Sequence, residues 1–224
     1  MYINISIRPI CLFVFLFGGI TDTIDAQTRA GLGVRTGVVF SNFTQSSFDF
    51  DSNTDGWVTL SLEVTSETSS LFFVTELSYK GLGANRTDRV VNGPGDTRTQ
   101  FDANYIGISP MAGVVVFEDK KLSPRFYLGP NIDILTDSKL VFRRPGGVIG
   151  GFDIGGDTNN AIFGFNIGAG LDWKLGPVGF TIDGRYTTTF STVYNESLLE
   201  GALDDVKHEY FGVIFGLHFP FSYK

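Results

Sequence analysis

The stretch FGVIFGLHFPFSY, residues 211–223, decides the fold. Every second residue in it is apolar or aromatic: Phe211, Val213, Phe215, Leu217, Phe219, Phe221 and Tyr223. Successive side chains of a β-strand point to opposite faces, so this set occupies a single face. The stretch therefore predicts a long strand with one continuous apolar side.

The same alternation recurs in seven earlier stretches. Their apolar sets begin at Leu32, Val58, Leu71, Ile106, Phe126, Phe163 and Val178. The predicted strands run to about nine residues or more, as a tilted membrane strand requires. Strands of soluble proteins average nearer five or six residues. Eight long strands predict a barrel that crosses a membrane.

The connections between the predicted strands alternate in length. Those near 66–70, 118–124 and 175–177 are short, whereas those near 44–55, 84–101, 136–160 and 191–207 are long. Bacterial outer-membrane barrels combine short periplasmic turns with longer extracellular loops. The predicted fold is all-β: an eight-stranded antiparallel up-and-down transmembrane β-barrel with four long extracellular loops.

The residues that alternate with the apolar ones, on the opposite face of these strands, include many charged side chains. Among these are Arg35, Glu63, Glu76, Lys80, Asp133, Asp172, Asp183 and Arg185. A charge that faces lipid at the bilayer midplane costs roughly 2–4 kcal/mol, so these side chains are expected inside the barrel. There they form either a plug of ion pairs or the lining of a narrow pore. The interior of an eight-strand barrel is just wide enough for side chains to fill, which favours the plug.

Aromatic residues near the predicted strand ends are expected to form the two interfacial girdles of a membrane barrel. They are Phe43, Trp57, Tyr79, Tyr105, Phe117, Phe126, Trp173 and Phe190.

Composition and the first residues indicate an exported protein. Residues 1–26 have the pattern of a signal peptide: Arg8, an apolar core from Ile10 to Ile20, and a cleavage point after Ala26. Residues 27–224 are then the barrel domain. The net charge of −7 argues against nucleic acid as a partner. The one cysteine, Cys11, lies in the leader and leaves no thiol for chemistry after cleavage.

No catalytic, cofactor or metal site is predicted. His208 and His218 fall at opposite ends of the last strand, too far apart to cooperate. The segment Asp51–Gly56 matches the opening of an EF-hand loop, but Leu62 stands where a glutamate is needed, so an acidic turn is preferred. Arg143 and Arg144 could contact lipopolysaccharide phosphates or a partner's carboxylates. An ordinary variable surface loop is the preferred interpretation of the segment that carries them.

Several motifs resemble those of the PorT-like outer-membrane β-barrel family of Bacteroidetes over essentially the whole mature length. They are AGLGVRTGVVFSNF (30–43), LFFVTELSYKGLGA (71–84), RFYLGPNIDIL (125–135) with Tyr127, Gly129 and Pro130, IGAGLDW (167–173), the Asp183-x-Arg185-Tyr186 step and FGVIFGLHFPF (211–221). The resemblance implies a cell outer-membrane location. Because Lys224 follows the usual terminal aromatic, the signal read by the barrel-assembly machinery is expected at Phe219, Phe221 and Tyr223.

The expected function is that of a non-enzymatic integral outer-membrane protein that displays extracellular loops for binding or envelope organisation. Some relatives take part in protein secretion and gliding, so an accessory role in a type IX secretion machine is the alternative. A narrow pore and an outer-membrane enzyme are two further alternative functions, ranked below these. The expected partners are outer-membrane lipid, lipopolysaccharide and the barrel-assembly machinery, and the sequence identifies no surface ligand or secretion partner.

Overall fold

The computed structural model describes residues 28–44, 50–66, 70–88, 97–117, 120–144, 146–194 and 206–222. The predicted signal peptide and Tyr223 lie outside the described residues. Nine strands make up the fold: β1 (Thr28–Thr44), β2 (Asp51–Ser66), β3 (Leu71–Asp88), β4 (Thr97–Val115), β5 (Leu122–Arg144), β6 (Gly147–Asp153), β7 (Ala161–Leu175), β8 (Val178–Thr189) and β9 (Lys207–Ser222).

Eight of these strands close into a barrel. Each pairs antiparallel with the next along the chain, except that β7 follows β5 directly, and β9 returns to pair with β1. Strand β6 pairs only with the outer half of β5 among the described residues. The predicted eight-stranded up-and-down barrel is confirmed. None of the described residues belongs to a helix that is long and apolar enough to span a membrane.

The two ends of the barrel differ in their connections. A two-residue turn joins β7 to β8, and Gly176 opens it with a φ of 68°, a left-handed conformation that suits glycine. The other end carries the long connections and the β5–β6 hairpin. Because short turns are periplasmic in bacterial barrels, we call these the periplasmic and extracellular ends.

The strands continue further towards the extracellular end than the sequence predicts. Strands β3 and β4 pair as far as Asp88 and Thr97, inside the predicted loop 84–101. Most of the predicted loop 136–160 is the continuation of β5 and its hairpin with β6. Likewise, the acidic segment 51–56 is the start of β2 and not a turn or a calcium loop. Apolar alternation marks only the lipid-facing span, whereas main-chain pairing needs no apolar side chains and continues beyond it.

The two faces of the wall separate apolar from charged residues. On the outer face, Ile167 is 56% exposed and Phe215 is 43% exposed, and similar values hold around the barrel. On the inner face, Arg35 is only 2% exposed. The exterior is therefore a continuous apolar belt around a closed interior.

Five of the eight predicted girdle aromatics project outward. They are Tyr79, Phe117, Phe126, Trp173 and Phe190. The prediction is wrong for Phe43, Trp57 and Tyr105, which are buried inside the barrel. In their strands, these three residues alternate with the outward-facing ones and therefore point inward. The prediction was wrong because it considered only how close they lie to a strand end.

Candidate functional site

The eight charged residues that the sequence singled out all project into the lumen. Seven of them are at most 5% exposed, and Asp172 is the most accessible, with 20% of its side chain exposed. The structure adds a ninth charged residue, Arg125, which is 1% exposed. Arg125 shares the parity of Tyr127 and Asp133 on β5, and this parity is the signal that could have identified it.

Glu76 is the centre of the network at mid-height. Arg185 donates to its two oxygens over 2.6 and 2.9 Å, the bidentate geometry that matches a guanidinium to a carboxylate. Arg35 donates to Glu76 over 3.0 Å and to Asp183 over 3.1 Å. One carboxylate thus holds guanidinium groups from β1 and β8 together across the lumen.

Arg125 joins two carboxylates nearer the periplasmic end. It donates to Glu63 over 2.8 Å and to Asp172 over 3.1 Å. Arg35 also approaches Glu63, at 3.6 Å, so this layer is continuous with the one above it. The guanidinium of Arg125 lies 4.2 Å from the ring centre of Phe72, a cation–π contact that adds to its packing.

Lys80 and Asp133 form a separate ion pair closer to the extracellular end, with Nζ and Oδ1 2.8 Å apart. Tyr210 links the two residues, because its hydroxyl accepts from Lys80 over 2.7 Å and donates to Asp133 over 3.0 Å. Asn131 also donates to Asp133, over 2.6 Å. The Lys80 ammonium lies 5.0 Å from the ring centre of Trp57, which explains why an aromatic residue belongs inside the barrel here.

Glycine makes room for the aromatic members of the network. A Cβ on Gly168 would overlap the ring of Tyr127, whose hydroxyl accepts from Arg185 over 3.3 Å. A Cβ on Gly212 would meet the ring of Trp57. In both places an inward glycine leaves space for a large inward ring, as a narrow interior requires.

An apolar cluster covers the network on its extracellular side. It contains Phe43, Ala84, Phe101, Leu140, Ile154, Val193, Tyr194 and Val206. The rings of Phe43, Phe101 and Tyr194 meet edge to face. Burial raises the pKa of Tyr194 well above the usual tyrosine value, so the residue stays neutral. We call this set the extracellular cap.

The arrangement closes the lumen. In the layers around Glu76 and Lys80, the side chains of Glu76, Lys80, Asp133 and Arg185 are each at most 1% exposed, so they are shielded from solvent. Side chains of a water-filled conducting path would be accessible to solvent. The interior of the described barrel is consequently a packed core of ion pairs and aromatic rings.

The two histidines lie in separate surroundings. His208 is fully buried beside Phe43 and Tyr105 below the extracellular cap. His218 lies near the periplasmic end, with its ring against Gly31. Within the described ranges, no three His, Cys, Asp or Glu side chains are grouped so that they could hold a metal ion.

The β5–β6 hairpin extends outward beyond the cap. All seven residues of β6 are exposed, including Val148, Ile149 and Phe152. Arg143 stands opposite Arg98 of β4 and donates to Gln100 over 2.9 Å. The hairpin therefore presents apolar and basic side chains together.

Comparisons with known proteins agree with this architecture. The family described as outer membrane protein beta-barrel domain matches residues 25–195. A search of curated proteins gave no significant match.

The solved structures that the chain resembles include three bacterial proteins. Neisserial surface protein A is 14% identical, with 85% of this chain and 96% of that chain covered and a TM-score of 0.47. Ail of Yersinia pestis, crystallised with a heparin analogue, is 16% identical, with coverages of 85% and 99% and a TM-score of 0.41. OprG of Pseudomonas aeruginosa is 10% identical, with coverages of 88% and 97% and a TM-score of 0.48.

The closed strand order, the apolar exterior and the family match over most of the length lead to one assignment. The chain belongs to the outer membrane protein beta-barrel domain family and is an outer-membrane β-barrel protein.

Proposed function

We propose that this barrel is a non-enzymatic display scaffold, whose closed wall holds extracellular segments in place for binding or envelope organisation. The observation that carries the proposal is the contrast between the buried, ion-paired lumen and strand β6 above it, all seven residues of which are exposed. A rigid support with accessible segments is the usual arrangement of binding proteins. The proposal includes cleavage of residues 1–26 and contact with outer-membrane lipid and lipopolysaccharide.

The hairpin is the best candidate for the contact surface. Val148, Ile149 and Phe152 are each more than half exposed, which is unusual for apolar residues outside the lipid belt. Arg143 and Arg144 extend beside them and are suited to phosphate or carboxylate groups. Contact with lipopolysaccharide or an acidic surface partner therefore involves both apolar and charge-assisted interactions.

Two measurements test the proposal. A photo-crosslinking residue at Ile149 should form a discrete adduct with an envelope component in intact cells, and serine at Val148 and Phe152 should reduce its yield. The same crosslinker at Leu60 on the lipid-facing wall is the control. Absence of an adduct specific to position 149 would count against display.

Planar-bilayer recording separates display from the pore. The buried ion pairs predict no unitary conductance for the reconstituted protein. Steps of conductance that change in Arg35→Ala or Arg185→Ala would overturn the closed-lumen argument and favour a narrow pore.

The narrower assignment, to PorT-like barrels of Bacteroidetes with an accessory role in type IX secretion, is a second proposal. Its support is the motif set, two parts of which meet in the lumen, where Tyr127 of the Tyr-x-Gly-Pro motif contacts Arg185 of the Asp-x-Arg-Tyr step. Profiling the proteins exported by a deletion strain tests it. Loss of cargo from the medium would favour the secretion role, and an unchanged set would leave display as the function.

We also propose that the end of β9 carries the signal read by the barrel-assembly machinery. Phe219 and Phe221 lie on the outer face of β9 near its periplasmic end and are 45% and 42% exposed. Substitution of both by serine should reduce the amount of folded barrel in the outer membrane, whereas the same change at Phe211 should have a smaller effect.

A further inference from the structure

Two arginines face each other across the outer ends of β4 and β5. Arg98 stands directly opposite Arg143 in the register of the two strands. Phe101 and Leu140, an opposite pair three residues nearer the membrane, are buried in the extracellular cap. Because side chains alternate along a strand, Arg98 and Arg143 project from the outer face, and both are exposed. We call them the arginine pair.

No described carboxylate lies between the two positive charges. Like charges that stand directly opposite each other on neighbouring strands destabilise a sheet. Among the described residues, no Asp or Glu side chain comes within ion-pair distance of Arg98 or Arg143. Gln100 stands between Arg143 and Asp102, because it accepts from Arg143 over 2.9 Å and donates to Asp102 over 2.8 Å. A bound anion would relieve the repulsion within the pair.

The geometry and charge of the pair favour a phosphate monoester. Gln100 engages only the Nε–H of Arg143, so the N–H groups at its two Nη atoms are left for a ligand. A guanidinium matches the oxygens of phosphate in a bidentate arrangement. A phosphate monoester carries a charge of about −1.5 to −2 at neutral pH, which two guanidinium groups balance better than they balance the single charge of a carboxylate or sulfate ester.

The height of the pair above the membrane indicates what carries the phosphate. Ile106 is the outermost exposed apolar residue of β4, and Arg98 lies eight residues beyond it. With a rise of about 3.3 Å per residue and a strand tilt of about 40°, the pair lies roughly 20 Å above the lipid belt. Lipid headgroups extend only about 5–8 Å beyond the hydrocarbon core. A phosphate on a saccharide that projects from the surface reaches the pair, whereas a headgroup phosphate falls short.

We propose that the arginine pair binds a phosphate monoester group carried by a saccharide at the cell surface. Each guanidinium donates to the phosphate oxygens, and Gln100 holds the guanidinium of Arg143 in place. The inference rests on the proposed display function, because it names a ligand for the surface beside the β5–β6 hairpin.

Titration of the barrel in phosphatidylcholine nanodiscs tests the chemistry. The probes are methyl phosphate and methyl sulfate, which have the same shape, at about pH 7.5, where the phosphate monoester has lost its second proton. The guanidinium signals of Arg98 and Arg143, followed by NMR, should shift and saturate with methyl phosphate, and methyl sulfate should bind about tenfold more weakly. Equal affinity for the two probes, or shifts that never saturate, would overturn the proposal.

Substitutions locate the site. Arg98→Gln and Arg143→Gln should fold as wild type because both side chains are exposed, while affinity for methyl phosphate falls about tenfold in each. Arg143→Lys keeps the charge without the planar fork and should recover only part of the loss. Lys139→Gln is the matched control, since Lys139 is an exposed cation of β5 that already pairs with Asp137, and it should bind as wild type. Unchanged affinity in both glutamine variants would refute the assignment.

Two further probes identify the carrier. Tighter binding of glucose 1-phosphate than of methyl phosphate would support a saccharide. A shift of the arginine signals in nanodiscs that contain phosphatidic acid, with no ligand added, would assign the phosphate to a lipid headgroup and overturn the saccharide.

The inference and the display function fail separately. A specific adduct at Ile149 without any binding of methyl phosphate would overturn the phosphate site and leave display intact. Binding of methyl phosphate without an adduct would support the site and count against display.

Discussion

Substitution of Glu76 by glutamine is the sharpest test of the ion-paired lumen. The change preserves the size and most of the shape of the side chain and removes one negative charge. It leaves the guanidinium of Arg185 with a contact to the hydroxyl of Tyr127, 3.3 Å away, and with no ionised partner at hydrogen-bond distance among the described residues. Arg35 keeps Asp183 at 3.1 Å and therefore loses less.

The expected loss of stability follows from the burial of the groups involved. Arg185 and Glu76 are each 1% exposed. Removal of one partner from a buried ion pair typically costs about 3–5 kcal/mol, because the other charge is left uncompensated. The remaining carboxylate of Asp183 limits the loss, so we expect Glu76→Gln to lower the free energy of unfolding by about 3 kcal/mol.

Urea unfolding of the barrel in lipid vesicles measures the effect, with the folded fraction followed by tryptophan fluorescence. The midpoint should fall while the slope of the transition stays constant, which would mean that the folded state is unchanged. The double variant Glu76→Leu with Arg185→Met removes both charges and should recover part of the loss. Asp137→Asn, whose partner Lys139 is exposed, should unfold as wild type. The reasoning is refuted if Glu76→Gln and Asp137→Asn unfold at the same urea concentration.

Three further substitutions probe the wall, the spacing of the strands and the cap. Ile167→Lys places a charge in the lipid belt and should cost roughly 2–4 kcal/mol in vesicles, whereas Ile149→Lys on the exposed hairpin should leave the unfolding midpoint unchanged. Gly129→Ala sets a Cβ against the carbonyl oxygen of Pro110 and should destabilise by about 1–3 kcal/mol. Gly150→Ala is its control, since a Cβ there meets no atom within 4 Å, and equal stability of the two variants would contradict the close approach of β4 and β5. Phe101→Ala opens the extracellular cap and should speed hydrogen exchange at the outer ends of β4 and β5 without changing exchange at Arg185; uniform acceleration would show that the cap and the barrel unfold as one unit.

Residue parity was sufficient to predict the barrel. The alternation of Phe211, Val213 and Phe215 fixes the outer face of β9, and the register with β1 carries the same assignment to the neighbouring strand. Since a shift of one residue would turn every side chain to the other face, the alternation specifies the register strongly. This is why strand number and faces follow from the sequence.

The positions of several aromatic residues could not be predicted from their proximity to strand ends. Trp57 and Tyr105 lie near the limits of the apolar pattern, as girdle residues do, but their inward parity places them beside Lys80 and His208. The alternation of residues along each strand predicts the inward position of both side chains correctly. It is therefore a better guide than their distance from the strand end.

The sequence also could not show which charges pair. Glu76 and Arg185 are far apart along the chain and come together only because β3 and β8 face each other across the lumen. Arg125 was missed because the apolar pattern of its strand begins one residue later, at Phe126. The β5–β6 hairpin was missed because its glycine-rich sequence resembles an irregular loop, whereas the pairing with β5 depends only on the main chain.

The seam between β1 and β9 constrains how this protein can reach its folded state. The two strands pair without interruption from Arg29 opposite Ser222 to Thr44 opposite Lys207, so the first and last strands of the barrel are direct neighbours. Among the described strand pairs, this one joins the segments most distant along the chain and so carries the largest loop-closure entropy, which makes closure a slow step. Until β9 is available, two long unpaired edges remain, and each is a template for pairing with another chain. A chain that stops short of residue 207 would lack β9 and leave the edges of β1 and β8 unpaired.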